Sequence, residues 1–141
     1  MSAYLDASAI LPTLVEEAGS GVVDRFLSAE AESLVVSEFA AAEVSSALSR
    51  LLRIGALEEQ AVTVRLAQFD AWRTTSASDI DLQASDFRRA RIFLRRFDLM
   101  LRAPDALHAA ICRRADLLLV TLDRRLAAAA AELGVRTQLL E

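Results

Sequence analysis

The strongest constraint on how this chain can fold is the segment from Arg102 to Asp123. Pro104 and Asp105 open an Ala-rich stretch, and both residue types are favoured in the first turn of a helix. Leu117 to Val120 is then a short, continuous apolar run, the pattern of a buried strand. Asp123 follows it. One acid thus begins a helix and another ends a strand, the two positions at which α/β enzymes hold metal ions. The rest of the chain matters by whether it brings partners to this pair.

Taken in order, Ser2 to Ala7 reads as a first strand ending at Asp6, and Ser8 as the cap of a helix from about Ala9 to Glu17. Pro12 falls in that helix's first turn. Past Gly19 to Gly21, the spacing of Val22, Val23, Phe26 and Leu27 predicts a second short helix. Ser33 to Ser37 reads as a brief strand. Ser37 then caps a longer helix to Ile54, with Ala41, Val44, Leu48, Leu51 and Leu52 on one face and Glu43 at its edge. Gly55 ends it. Glu58 to Thr74 forms the second arm of a helical hairpin, with Val62, Leu66, Phe69 and Trp72 apolar.

Ser76 to Leu82 alternates apolar and acidic residues, as an edge strand does. Ser85 is the expected cap of the next helix, with Phe87, Ala90, Leu94 and Phe97 facing inward. Its other face carries Arg88, Arg91 and Arg95, suited to RNA phosphates or simply to solvent. The Asp105 helix and the strand before Asp123 come next. A helix from Arg124 to Leu133, stopped by Gly134, and a strand from Val135 to Leu139 complete the chain.

Strands alternating with helices predict one α/β domain over residues 1–141: three layers, with helices flanking a central, mainly parallel sheet of four to five strands. Active sites of such sheets lie outside the carboxyl ends of the strands. Asp6, Glu43, Asp105 and Asp123 are all expected there. Asp116 precedes the last long strand and so falls at the other end.

Composition narrows the function. With 54% apolar residues the 141-residue chain can bury a sizeable core. No apolar run approaches the roughly 20 residues needed to span a bilayer. The N-terminus lacks a basic signal-peptide region, and Cys112 has no internal partner, so the cytoplasm is the expected compartment. Cys112 reads as a buried small residue. A net charge of −4 argues against bulk affinity for nucleic acid but leaves room for a local basic patch. All 16 basic residues are arginine. That excludes any lysine-dependent mechanism, including that of phosphate-receiving domains with clustered acids.

Four pieces, Tyr4-Leu-Asp6-Ala-Ser8-Ala, Glu43-Val-Ser-Ser-Ala-Leu-Ser-Arg50, Arg102-Ala-Pro-Asp105-Ala-Leu-His108 and Leu119-Val-Thr121-Leu-Asp123, stand in an order and spacing that resembles the PIN domain family. Within it they resemble the VapC-like toxins of bacterial toxin–antitoxin pairs. The resemblance implies an endoribonuclease using Mg²⁺ or Mn²⁺, with one or two ions. Asp6, Glu43, Asp105 and Asp123 are its implied ligands and catalytic residues, and Ser8 and Thr121 their assistants. Glu38 competes with Glu43, but the Ala-Leu-x-Arg pattern after Glu43 favours the latter. Arg50 is a candidate RNA contact near the site. The resemblance also implies a cognate antitoxin seated on the helical hairpin region, and a homodimer. A PIN-type RNA-processing nuclease without toxicity is the alternative, as is a catalytically silent binding module. His108, three residues after Asp105, is expected as a packed structural histidine rather than a general base. Tyr4 and Trp72 are expected to pack rather than stack on bases.

Overall fold

The computed structural model describes all residues from Met1 to Glu141. Five parallel strands form its sheet: β1 (Ser2–Leu5), β2 (Ser33–Ser37), β3 (Ala77–Ile80), β4 (Leu118–Thr121) and β5 (Thr137–Leu139), in the order β3-β2-β1-β4-β5. The helices are α1 (Ala7–Ile10), α2 (Ser20–Ser28), α3 (Glu38–Arg53), α4 (Glu59–Ser76), α5 (Ala84–Phe93), α6 (Ala103–Ala115) and α7 (Arg124–Glu132).

Strand periodicity divides the core. Tyr4, Val35 and Leu119 point to one face and pack with Ala90, Phe93, Ile111 and Leu126 of α5, α6 and α7. Their neighbours Ala3, Leu5, Val36 and Val120 point to the other, against Ile10, Val23, Val44, Leu48 and Phe69 of α1 to α4. This alternation in a two-residue period is what lets one sheet bury both faces. The three-layer α/β/α arrangement is therefore as expected. No helix is long and apolar enough to cross a membrane.

Several boundaries differ from the sequence expectation, each for a local reason. β1 stops at Leu5 because Asp6, not Ser8, caps α1: its carboxylate accepts from the Ala9 N–H. The helix is short, and a 3₁₀ turn over Leu11–Thr13 follows, with Pro12 inside it. Helix α4 continues to Ser76, leaving β3 only Ala77–Ile80, and β5 begins two residues later than expected. Gln83 rather than Ser85 caps α5, in a reciprocal box with Asp86. Phe87 and Phe97 are exposed, and Phe93 takes the inward place. Helix α5 ends before Arg95, so Arg95 does not share its face. Leu52 of α3 also lies outside the core.

Asp86 is buried and receives two Arg114 N–H donors at 2.8 and 3.0 Å, tying α5 to α6. Arg114→Met would leave that buried carboxylate short of its charged partner. It is expected to cost about 2 kcal/mol, more than Asp86→Asn, as read by denaturant melts.

Candidate functional site

The strand order sets where a site can lie. From β1 the chain moves to β2 and β3 on one side, then crosses to β4 and β5 on the other. The switch point is between β1 and β4, paired from Ala3↔Leu118 to Leu5↔Val120. Ligands of open α/β sheets bind in the crevice at the carboxyl ends of such strands. Asp6 is the residue after β1, and Asp123 stands two residues after β4.

Asp6 is almost wholly buried, at 4% exposure, without a cation beside it. Its two oxygens are held by hydroxyls: Ser8 donates at 2.7 Å and Thr121 at 2.8 Å. Ser8 and Thr121 lie 3.0 Å apart, and the Leu122 and Asp123 N–H groups donate to them. Both hydroxyls of the sequence reading thus bear on Asp6 and on the turn carrying Asp123. Burial raises the Asp6 carboxyl above its ordinary value, against the lowering effect of its hydroxyl donors and of His108.

Asp123 caps α7, one oxygen accepting from the Arg125 and Leu126 N–H groups at 2.9 and 3.1 Å. Asp105 sits in the first turn of α6, its Oδ2 facing the Arg102 N–H at 3.4 Å. Partial burial raises the Asp105 carboxyl, the Arg102 N–H opposes this, and the charges of Asp123 and Glu43 add to the rise. Glu43, half-buried on α3, meets His108 Nε2 through Oε1 at 2.5 Å. Asp123 and Glu43 are thus close enough to perturb Asp105.

None of the four pairs with an arginine, although the chain forms arginine bridges elsewhere, at Glu38, Asp79, Asp86, Asp98, Asp116 and Glu141. Glu38 is thereby occupied by Arg73, away from the site. Asp116 follows α6 in a left-handed conformation, at the opposite end of β4 from Asp123.

The donor set suits a hard divalent cation, which takes oxygen ligands. Asp105, Asp123 and Glu43 each use one oxygen on the protein and leave the second without a protein partner. As the side chains lie, no three acidic, histidine or cysteine groups close into a ready-made cage.

Asp105 and Asp123 line an open cavity of about 550 Å³ with Leu122 and the arginines Arg102, Arg124 and Arg125. The PIN domain family model matches residues 3–132. The chain belongs to the PIN domain family. No curated protein sequence matches it. Among solved structures, this PIN domain resembles VapC20 of Mycobacterium tuberculosis, a sarcin–ricin loop cleaving toxin, at 20% identity and TM-score 0.72, over 91% of this chain and 95% of that one. It also resembles VapBC2 of Rickettsia felis, bound to a promoter DNA fragment, at 15% identity and TM-score 0.74 over 100% of both chains. A third is a toxin–antitoxin complex of Klebsiella pneumoniae, at 16% identity and TM-score 0.61, over 86% of this chain and 87% of that one. At these identities the likeness is one of fold.

Arg102, Arg124 and Arg125 of this PIN domain were not singled out by sequence. They sit next to the acids in the chain, and that adjacency was the available signal. Of the arginines that were, Arg88 lines a separate cleft of about 360 Å³ with Arg89, Arg113 and Arg114, whereas Arg91 and Arg95 are not in its walls. Arg50 is exposed on α3, two turns beyond Glu43.

Proposed function

We propose that this chain is a metal-dependent endoribonuclease and the toxin of a toxin–antitoxin pair. What supports the reading is that Asp6 and Asp123 follow the two strands of the switch point, Asp105 shares an arginine-lined cavity with Asp123, Glu43 is joined to the Asp105 helix through His108, and none of the four pairs with an arginine. Structural acids are ordinarily neutralised or solvated. Asp6 is instead buried and held by three uncharged donors, from Ser8, Thr121 and the Ala9 N–H, an arrangement that a bound cation would complete.

Asp6, Glu43, Asp105 and Asp123 would hold Mg²⁺ or Mn²⁺. Such an ion supplies Lewis acidity toward a phosphate oxygen and makes water a better nucleophile at neutral pH. The remaining work belongs to the protein. Ser8 and Thr121 fix the Asp6 carboxylate, so that its orientation is set before substrate arrives. Arg102, Arg124 and Arg125 offer phosphate-binding guanidinium groups beside acids that would otherwise repel RNA. Arg88 lies in a cleft with Arg113 and Arg114 at the far end of α6 from Asp105, whereas Arg50, on the same helix as Glu43, is the candidate for phosphates near that acid. The partners of the reading are RNA, a cognate antitoxin and a second copy of the chain in a homodimer, all in the cytoplasm. The toxin–antitoxin complex among the structural neighbours supports the antitoxin.

The purified chain is expected to cut RNA with Mn²⁺ or Mg²⁺ present and to stop in excess EDTA; cleavage that persists in EDTA overturns the metal reading. Expressed without its partner it should arrest growth. Harmless expression of a chain active in vitro would favour an RNA-processing nuclease.

A further inference from the structure

A chain of polar groups runs through the apolar core beside the acids. Tyr4 is fully buried on β1 and His108 is 2% exposed on α6. The Tyr4 hydroxyl lies 2.6 Å from His108 Nδ1 and 2.8 Å from Ser37 Oγ, and His108 Nε2 meets Glu43. Ser37 is the cap of α3 and accepts the Ala40 N–H at 3.0 Å.

Counting protons fixes the direction. Glu43 as a carboxylate only accepts, so His108 Nε2 carries a proton and donates. Ser37 Oγ–H has no acceptor other than the Tyr4 oxygen, so it donates there. Tyr4 O–H then donates to His108 Nδ1. In the reverse order the Ser37 proton is left buried without an acceptor, which is costly. Both ends of this path lie on α3, at its cap and in its second turn, and the middle is supplied by β1 and α6. The Phe39 ring, 5.0 Å from the imidazole, packs against it.

An apolar side chain at position 108 would fill this core without the cost of burying a polar ring. What it would not do is hold Glu43. We propose that His108 is a positioning residue, fixed in its Nε2–H tautomer by Tyr4 and Ser37, that holds the Glu43 carboxylate toward the other acids of the site. This rests on the metal-site reading above. It needs no proton transfer by His108 to substrate.

Two isosteres separate the two ends of the imidazole. His108→Gln can place an N–H near the Nε2 position and reach Glu43; His108→Asn matches Nδ1 and falls short. Mn²⁺ titrations of the full chain without RNA, metal-free thermal melts and steady-state cleavage are to be compared. Expected are Mn²⁺ affinity within about threefold of wild type for His108→Gln and a loss of about tenfold or more for His108→Asn, the range of outer-shell effects. The loss should appear in kcat rather than KM, with similar metal-free melting temperatures. Equal Mn²⁺ affinity in the two variants overturns the proposal. Because the chain has one histidine, ¹⁵N spectra of the metal-free protein read its tautomer directly. A proton on Nε2 and a bare Nδ1 are expected, and a protonated Nδ1 overturns the assignment. A wild type that binds no Mn²⁺ but shows this tautomer rejects the metal-site reading and, with it, the positioning role, while leaving the hydrogen-bond chain intact.

Discussion

Asp6→Asn is expected to abolish RNA cleavage and at the same time to raise the melting temperature of the metal-free protein. The two effects have one source. Asp6 is a carboxylate buried at the end of β1, held by two hydroxyls and an N–H but by no cation. Its folded pKa is raised from 3.8 chiefly by that burial. The folded state therefore holds the proton more tightly than the unfolded state does. Between the ordinary value and the raised one, the folded protein binds more protons, so stability falls as pH rises through this window. Above it, the full cost of the buried charge is present. Asparagine keeps the shape, can still bond Ser8 and Thr121, and removes the charge. The gain in melting temperature should be about 3 °C per kcal/mol recovered. It should be largest at neutral pH and shrink as pH falls toward the ordinary carboxylate range. Cleavage should drop about a thousandfold, about 4 kcal/mol of transition-state stabilisation. Activity within a few-fold of wild type would remove Asp6 from the site. A lower melting temperature would show that the charge is not a net cost.

How much of this was legible in the sequence varies by interaction range. Strands β2 and β4 and the span of α3 could be read because an apolar run, a capping serine and a terminating glycine act within one segment. The cap of α1 could not. Asp6 and Ser8 are both good caps, and the choice follows from Thr121, a residue 115 positions away, which orients the Asp6 carboxylate. The helical spacing of Phe87 and Phe97 points both inward, yet α5 ends at Phe93 and its buried positions include the Asp86 salt bridge to α6. Asp6, Asp105 and Asp123 were legible as acids at the ends of elements, and Glu43 as an acid one turn into α3. Their partners were not: the hydroxyl pair on Asp6, the imidazole on Glu43 and the three arginines beside Asp105 and Asp123 arise from tertiary packing. His108 was correctly expected to be packed. What sequence could not show was that its ring ends on one of the four acids.

The second large effect expected is a rise in melting temperature when Mn²⁺ or Mg²⁺ is added to the wild-type chain. None of the four acids has an arginine partner; burial chiefly raises the Asp105 carboxyl, and the charges of Asp123 and Glu43 add to the rise. A ligand that binds only the folded state stabilises it by RT ln(1 + [L]/Kd), about 2.7 kcal/mol at a hundredfold excess over Kd. For a chain of this length that corresponds to about 8 °C. Charge neutralisation alone does not distinguish a site from a diffuse ion atmosphere. Raising NaCl at matched ionic strength should reproduce only a small part of the shift, since screening acts weakly on a buried carboxylate. Asp6→Asn supplies the second control. Its metal-free form starts higher, so a shared ceiling could hide a lost response; the Mn²⁺ concentration dependence, not the final temperature, decides. The midpoint should move to at least tenfold higher Mn²⁺ in the variant. An unchanged wild-type melting temperature over millimolar Mn²⁺ would mean that these acids hold no ion tightly. Their crowding at the switch point would then have to serve some purpose other than cation-assisted phosphodiester cleavage.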